Sequence, residues 1–339
     1  MTSTQPRPAT TYRPPAKQDD KADYEQVLDD LSSASVHRNF DPYLDIAWDS
    51  PEMAVTPDDP RWILNYDVDP IGRHPWYQAL PESEQIRIGM WRQANVAKVG
   101  LQFESILIRG LLQYADRLPN NDKRFRYVTH ESKEECNHTL MFQELVNRIG
   151  MPTPGMRRWL RALSPFIPLF STLTPTVFFF GVLAGEEPID HIQKDFLRAA
   201  RDRDMHPAMS AVMELHVAEE ARHISFAHNH LRTTVPTKGP LTKFALSITM
   251  PITMRILCDA IVVPPAEFRK EFDVPREVMK DIFWGSEKSR TFLSGVFGDV
   301  RMLANQCGLM NPVSRLVWRA LGIDGRKSRF RSEPAYIAS

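Results

Sequence analysis

Two Glu-x-x-His pairs, Glu135/His138 and Glu220/His223, stand in this chain, and His216 precedes the second by one helical turn. A helix advances about 100° per residue, so offsets of three, four and seven return to one face. His216, Glu220 and His223 therefore project together, as do Glu135 and His138. Closing such faces around a pair of metal ions takes two more inward carboxylates from two more helices. Glu104 and Glu186 lie about one helix upstream of each pair, where those carboxylates belong. Roughly 0.6 Glu-x-x-His pairs arise by chance at this composition, so one alone means little and two behind matched helices mean more. For His216, Glu220 and His223, buried ionisable groups without a metal or partner would cost several kcal/mol, on the order of a whole core substitution. A metal is the cheaper account of the seam.

The flanking sequence supplies the helices. Ile88, Trp91, Val99, Phe103, Ile106, Leu107 and Leu111 recur at helical spacing through Ser83–Leu118. "LPNNDKRF" reads as a turn, and Arg124–Ile149 as the next helix, closed by Gly150. Val177–Arg201 and Pro207–Arg232 complete the set, with Pro188 expected to kink the third helix just past Glu186. Residues 240–321 read as broken helix, and alternating strand patterns are nearly absent. The expected class is all-α: a ferritin-like four-helix bundle core with additional C-terminal helices. Residues 1–22 read as a disordered arm, 23–325 as one helical domain with the ligand-bearing bundle at about 83–232, and 326–339 as a basic tail.

Lys plus Arg equals Asp plus Glu at 42 each, so no overall field draws the chain to nucleic acid. Cys136, Cys258 and Cys307 form no C-x-x-C pair and leave an odd thiol, which points to a reducing, cytoplasmic compartment. Cys136 lies off the ligand face and reads as a packing residue. The proline-rich N-terminus lacks the apolar segment of a secretory signal. The run 162–185 has no charge, but Pro165, Pro168 and Pro175 break it and Glu186 and Glu187 end it, so a buried loop and core helix is expected. Peripheral contact with a membrane and a homodimer both remain compatible with the sequence.

Four carboxylates, Glu104, Glu135, Glu186 and Glu220, balance two divalent ions, while neutral imidazoles add no charge. Oxygen-rich ligands suit iron or manganese, and seven candidates exceed what one tetrahedral zinc would use. The expectation is two Fe ions, or an Fe/Mn pair, with dioxygen as co-substrate. No flavin or nicotinamide fingerprint is visible, so electrons come from an external donor of the reductase or ferredoxin type.

With His138, His216 and His223 the set holds three imidazoles. Together with "GMW" at Gly89–Trp91, "FESILI" around Glu104, "EECNHT", "FGVLAGEEPID" and "LHVAEEARH", it resembles the p-aminobenzoate N-oxygenase family. "HPWY" at His74–Tyr77 and Pro207, nine residues before His216, extend the likeness over roughly His74–His230. The resemblance implies a di-iron oxygenase that carries an amine to the hydroxylamine and onward through a peroxo-bridged intermediate, and a small-molecule amine substrate. Two other readings stay open on the same core: a C–H hydroxylase or desaturase for a lipid-like substrate, and a non-enzymatic iron-binding protein of the ferritin type.

Residues around the set carry further expectations. Of the adjacent Glu186 and Glu187 only one can face the metals. Glu186 is preferred, with Glu187 behind it or at the surface. Asp190, one turn after Glu186, is expected to border the cavity as an uncompensated carboxylate. The turn before Glu104 offers no Arg, so a neutral or amine-bearing substrate is expected over p-aminobenzoate. His230 lies on the seam of His223 and reads either as support for the ligands or as a core histidine, His228 as structural, and His191 and His206 as surface residues. Trp91 and Phe178–Phe180 read as packing more than as a pocket.

Overall fold

The computed structural model describes residues 20–200 and 205–333, and the arm expected at the N-terminus falls mainly outside them. Among the described residues no strand forms, and the fold is all-α. Four long helices dominate: α3 (Glu82–Ala115), α4 (Lys123–Ile149), α7 (Pro175–Ala199) and α8 (Pro207–Thr234). Before them come α1 (Asp20–His37) and the single turn α2 (Pro75–Gln78). Short helices α5 (Arg158–Leu163) and α6 (Phe170–Leu173) fill the α4–α7 connection. After α8 follow α9 (Pro240–Val262), α10 (Ala266–Glu271), α11 (Arg276–Lys280), α12 (Glu287–Gly295), α13 (Gly298–Gln306) and α14 (Pro312–Ala320).

Local chemistry sets the boundaries of the bundle helices. Asp122 caps α4 by accepting from the Arg124 N–H, and Gly150 ends it in the left-handed conformation at φ 70°. His206 caps α8 through the Ala208 N–H, with Pro207 in the first turn. Helix α7 runs on through Pro188 as one element. Helix α3 packs along α4, α7 along α8 and α9, and α4 meets α8, which gives two antiparallel helix pairs joined face to face. Gly110 permits the close approach of α7: a Cβ there would lie 2.2 Å from the Phe178 ring.

Two parts of the chain lie other than the sequence suggested. The segment 20–37, which overlaps the end of the expected arm, is helix α1 and packs on α4 and α8. The uncharged run 162–185 divides in two: Phe178–Phe180, Val182 and Leu183 are core, whereas Leu163, Phe166, Leu169, Phe170 and Leu173 are exposed. Its first half is therefore not buried. Helix α9 lies in the one described stretch, 240–271, that is long and apolar enough to cross a membrane; 50% of its most apolar window is buried inside the fold, and it packs on α7 and α14.

His230 belongs to the core. It receives a hydrogen bond from the Tyr24 hydroxyl at 3.2 Å and packs among Tyr114, Phe179 and Phe226, away from the ligand cluster. Burial holds its imidazole down at about 3. The unfolded chain takes up this proton first, so the stability that depends on a neutral His230 is whole above the unfolded value of about 6.5 and erodes as pH falls from there toward 3. His230→Phe lacks this proton uptake. Urea unfolding of both proteins should show the stability advantage of wild type shrinking by roughly 1.4 kcal/mol per pH unit below about 6.5, and a pH-independent difference would contradict it.

Candidate metal centre

All seven candidate ligands are buried, and the bundle brings them to one place. Three overlapping groups, each with ligand atoms within 4.8 Å of one another, cover the set: Glu104, His138, His216 and Glu220; Glu135, His138, Glu220 and His223; and Glu131, Glu135 and Glu186. Glu135 spans two imidazoles, with one oxygen 2.9 Å from His138 Nδ1 and the other 2.9 Å from His223 Nδ1. Glu220 Oε1 lies 3.5 Å from His138 Nδ1, 3.4 Å from His223 Nδ1 and 3.3 Å from His216 Nε2. These two carboxylates occupy the middle, where a ligand shared between ions must sit. Glu104, 3.6 Å from His216 Nε2, stands on one side and Glu186 on the other.

Glu131 joins this ring, and the sequence reading missed it. It is fully buried, one turn before Glu135 on the same face. Offsets 131, 135 and 138 repeat the 216, 220 and 223 spacing of the other motif, with Glu in place of the first His.

Behind the ring each imidazole is held by its other nitrogen. His138 Nε2 donates to Glu219 at 3.0 Å and His223 Nε2 donates to Glu134 at 2.8 Å. Each motif thus lends the Glu preceding its ligand Glu to the histidine of the other helix. Arg222 joins the two carboxylates, 3.1 Å from Glu134 and 3.2 Å from Glu219. His216 Nδ1 is hydrogen-bonded to Gln193 Oε1 at 2.9 Å, which turns Nε2 inward. Partners of this kind fix ring orientation and ligand basicity.

Protein groups alone leave the ring unsatisfied. Both carboxylate oxygens of Glu131, Glu186 and Glu220, and the inward nitrogen of His216, are buried without a hydrogen-bond partner. Native interiors rarely leave such atoms unpaired. Burial, and then the neighbouring carboxylates, push Glu104 and Glu186 well above the usual carboxylate range; Glu131 rises for the same reasons, against the pull of His223. His138 is opposed by burial but held up at about 10 by Glu135 and Glu219, while burial holds His216 down at about 4. Two divalent cations would satisfy these atoms and the repulsion together, so the donor set fits a two-metal centre of hard, oxygen-rich character.

A cavity of about 300 Å³ reaches the cluster from one side. Glu104, Glu186, Gln193, His216 and Glu220 form its polar end, and among the described residues no Lys or Arg lines it. Its body is apolar, built by Phe103, Phe142, Phe178, Met213, Ile256 and their neighbours. Gly181 and Gly185 keep the α7 wall open. The opposite side of the cluster is closed by the Arg222 network.

The family described as p-aminobenzoate N-oxygenase AurF matches residues 21–308. The chain belongs to that family. Among curated relatives, a protein of Mycobacterium tuberculosis strain H37Rv and one of Mycobacterium bovis are each 59% identical over 315 residues, spanning 93% of this chain and 92% of theirs. Both are described only as uncharacterized. Membership points to an oxygenase of an iron-binding family, and the buried Glu and His groups are ones that could hold metal ions.

Several residues around the centre differ from their expected roles. Glu187 does not: of its two expected places, behind Glu186 or at the surface, it takes the first, accepting from His228 Nε2 at 2.7 Å and 2.9 Å outside the cluster. Asp190 is not uncompensated: Lys194 donates to it at 2.6 Å, and it does not line the cavity. His191 and His206 are buried; the first is hydrogen-bonded to Asp299 at 3.2 Å and the second stacks on Trp62 at 4.2 Å. Cys136 is exposed, not a buried packing residue. Trp91 packs on Phe268 and Phe272, whereas Phe178 does line the cavity.

Adjacent residues on a helix diverge by about 100°, which is why Glu186 and Glu187 have separate tasks. Glu186→Gln should cut bound iron by about half or more, because it removes a carboxylate from the ring. Glu187→Gln should keep the iron and lose only its contact with His228. Metal analysis of the two variants checks the register of α7, and equal losses would refute it.

Proposed function

We propose that the chain is a dioxygen-dependent di-iron oxygenase that N-oxygenates an apolar amine, with Glu104, Glu135, His138, Glu186, His216, Glu220 and His223 holding the two ions. One observation supports this above the rest: a ring of unsatisfied carboxylates and imidazoles forms the polar floor of an apolar cavity. The bound iron pair would supply the electrons and open coordination for reducing dioxygen. Each turnover to the hydroxylamine consumes amine, dioxygen, two electrons and two protons, and releases water. The electrons are assigned to an external reductase or ferredoxin-type donor.

The protein's own part is positioning and exclusion. Among the described residues the ionisable side chains gather at one end of the cavity, with the Thr253 hydroxyl on α9 the polar group outside it, so an amphiphilic substrate binds with its nitrogen toward Glu104, His216 and Glu220 and its hydrocarbon along α3, α7 and α9. Substrate carboxylates find no cation there, and burying one unpaired beside Glu104 and Glu186 would cost several kcal/mol, on the order of the substrate's whole binding energy. The preference for neutral amines over p-aminobenzoate takes no support from Asp190 and rests on the missing cation, as the turn before Glu104 suggested. The same apolar body also suits C–H oxidation of a lipid-like molecule.

Anaerobic loading with ferrous iron, followed by reductant, dioxygen and matched arylamines with and without a carboxylate, tests the proposal. Two irons per chain and hydroxylamine from the neutral amines are expected. Carbon-oxidised product from acyl substrates alone would favour the lipid reading, and fewer than one iron per chain would remove both.

A further inference from the structure

More than half of the exposed large apolar side chains among the described residues fall in two stretches, 159–173 and 241–256. Trp159, Leu163, Phe166 and Leu173 represent the first, and Leu241 and Phe244 the second. The two stretches share one surface, because Ile167 and Phe170 from one, and Ile252 and Ile256 from the other, line the same cavity. Phe170, Ile252 and Ile256 are also exposed to solvent, so they mark where that cavity opens. An exposed apolar patch of this extent marks an interaction site.

Charge decides what covers it. No Asp or Glu occurs in residues 151–185 or 235–258, whereas Arg157, Arg158, Arg161, Lys238 and Lys243 do, besides Arg255, which is paired with Asp259. None of these five cations forms an ion pair among the described residues, and Arg158, Arg161 and Lys238 are exposed. The chain is electrically neutral overall, so this one-signed surface is a local feature. A second copy of the chain would press cations on cations with no acid between them. Aromatic and aliphatic side chains among Arg and Lys, with Trp159 beside the charges, instead match the demands of a negatively charged lipid surface.

We propose that the face formed by α5, α6 and the outer side of α9 docks on an anionic lipid bilayer. Trp159, Phe166 and Leu173 enter the headgroup region while Arg157, Arg158, Arg161 and Lys243 meet lipid phosphates. The cavity mouth then faces the leaflet. Taken with the oxygenase reading, on which this last consequence rests, a substrate with a hydrocarbon body passes from the leaflet to the cluster without crossing water.

Co-sedimentation of the full chain with phosphatidylcholine vesicles, with and without phosphatidylglycerol, tests the docking. Binding is expected to the mixed vesicles, weakly to phosphatidylcholine alone, and to fall as salt is raised. The pair Arg158→Gln and Arg161→Gln should weaken binding about thirtyfold, and the pair Phe166→Ser and Leu173→Ser on the order of tenfold or more. All four positions are away from the ligand cluster, so iron content should match wild type, which separates failure here from failure of the oxygenase reading. No binding to the mixed vesicles would overturn the proposal. So would sedimentation velocity showing a dimer that the Phe166→Ser and Leu173→Ser pair converts to monomer without any change in vesicle binding.

Discussion

Glu220→Ala should leave the protein with no more than one metal ion per chain and abolish oxygen reactivity, while far-ultraviolet circular dichroism keeps its helical signature. The reason is position. Glu220 Oε1 lies within 3.5 Å of His138, His216 and His223 at once, so it serves both halves of the cluster, whereas Glu104 and Glu186 each serve one. Truncation also leaves three inward imidazoles without the carboxylate they share. Glu104→Ala makes the graded comparison: its loss should weaken the half of the site beside His216 and spare the other. Iron content measured after anaerobic loading orders the variants, and a Glu220→Ala protein that still binds two ions would show that Glu135 alone joins the halves.

The ligands were legible because metal chemistry and helix geometry both act at short range. Glu135 with His138, and His216 with Glu220 and His223, need only the 100° step to be placed on one face. Glu104 and Glu186 follow from counting one inward carboxylate per remaining helix. What escaped was what those same faces do beyond the ligands. "HESKEECNHT" is polar nearly all round, so nothing in it singles out Glu131 and Glu134 beside the ligand Glu135, yet all three are buried because α1 and α8 cover that side of α4. A signal was present: both motifs double the Glu, at 134–135 and 219–220. Doubling at the same register predicts reciprocal support between two helices related by a pseudo-twofold, which the Glu134–His223 and Glu219–His138 contacts display.

The uncharged run 162–185 failed for a different reason. Hydropathy reports what a residue prefers and not whether the fold has anything left to cover it. Helix α7 finds α8 and α9, so Val177–Leu183 is core or cavity wall; α5 and α6 sit at the rim, where the bundle ends, and their apolar side chains stay outside. Asp190 shows the same limit on charge. One turn places it after Glu186, but only the structure shows Lys194, one further turn on, bound to it.

Arg222→Met should destabilise the protein by about 3–5 kcal/mol, the usual loss when one partner of a buried charge network is removed. Arg222 is nearly buried, and its guanidinium is the cation that meets both Glu134 and Glu219, which are themselves buried. Burial opposes the charge of Glu134, but His223 and Arg222 outweigh it and hold that carboxyl below its usual range. With metal on their Nδ1 atoms, His138 and His223 are neutral donors through Nε2, so neither replaces the lost positive charge. Stability is therefore coupled to the site: the variant strands two buried carboxylates without their cation, and a carboxylate no longer held in place supports the imidazole in front of it less well. Metal affinity should fall about ten- to a hundredfold in the same variant. Adding Glu134→Gln and Glu219→Gln to Arg222→Met removes the stranded charge, and the triple variant should regain most of the stability while its metal affinity stays low. Urea unfolding and metal titration separate the two effects. A triple variant as unstable as the single one would show that Arg222 acts by filling space, through its aliphatic stem, and that the charge network between the two Glu-Glu-x-x-His motifs contributes little.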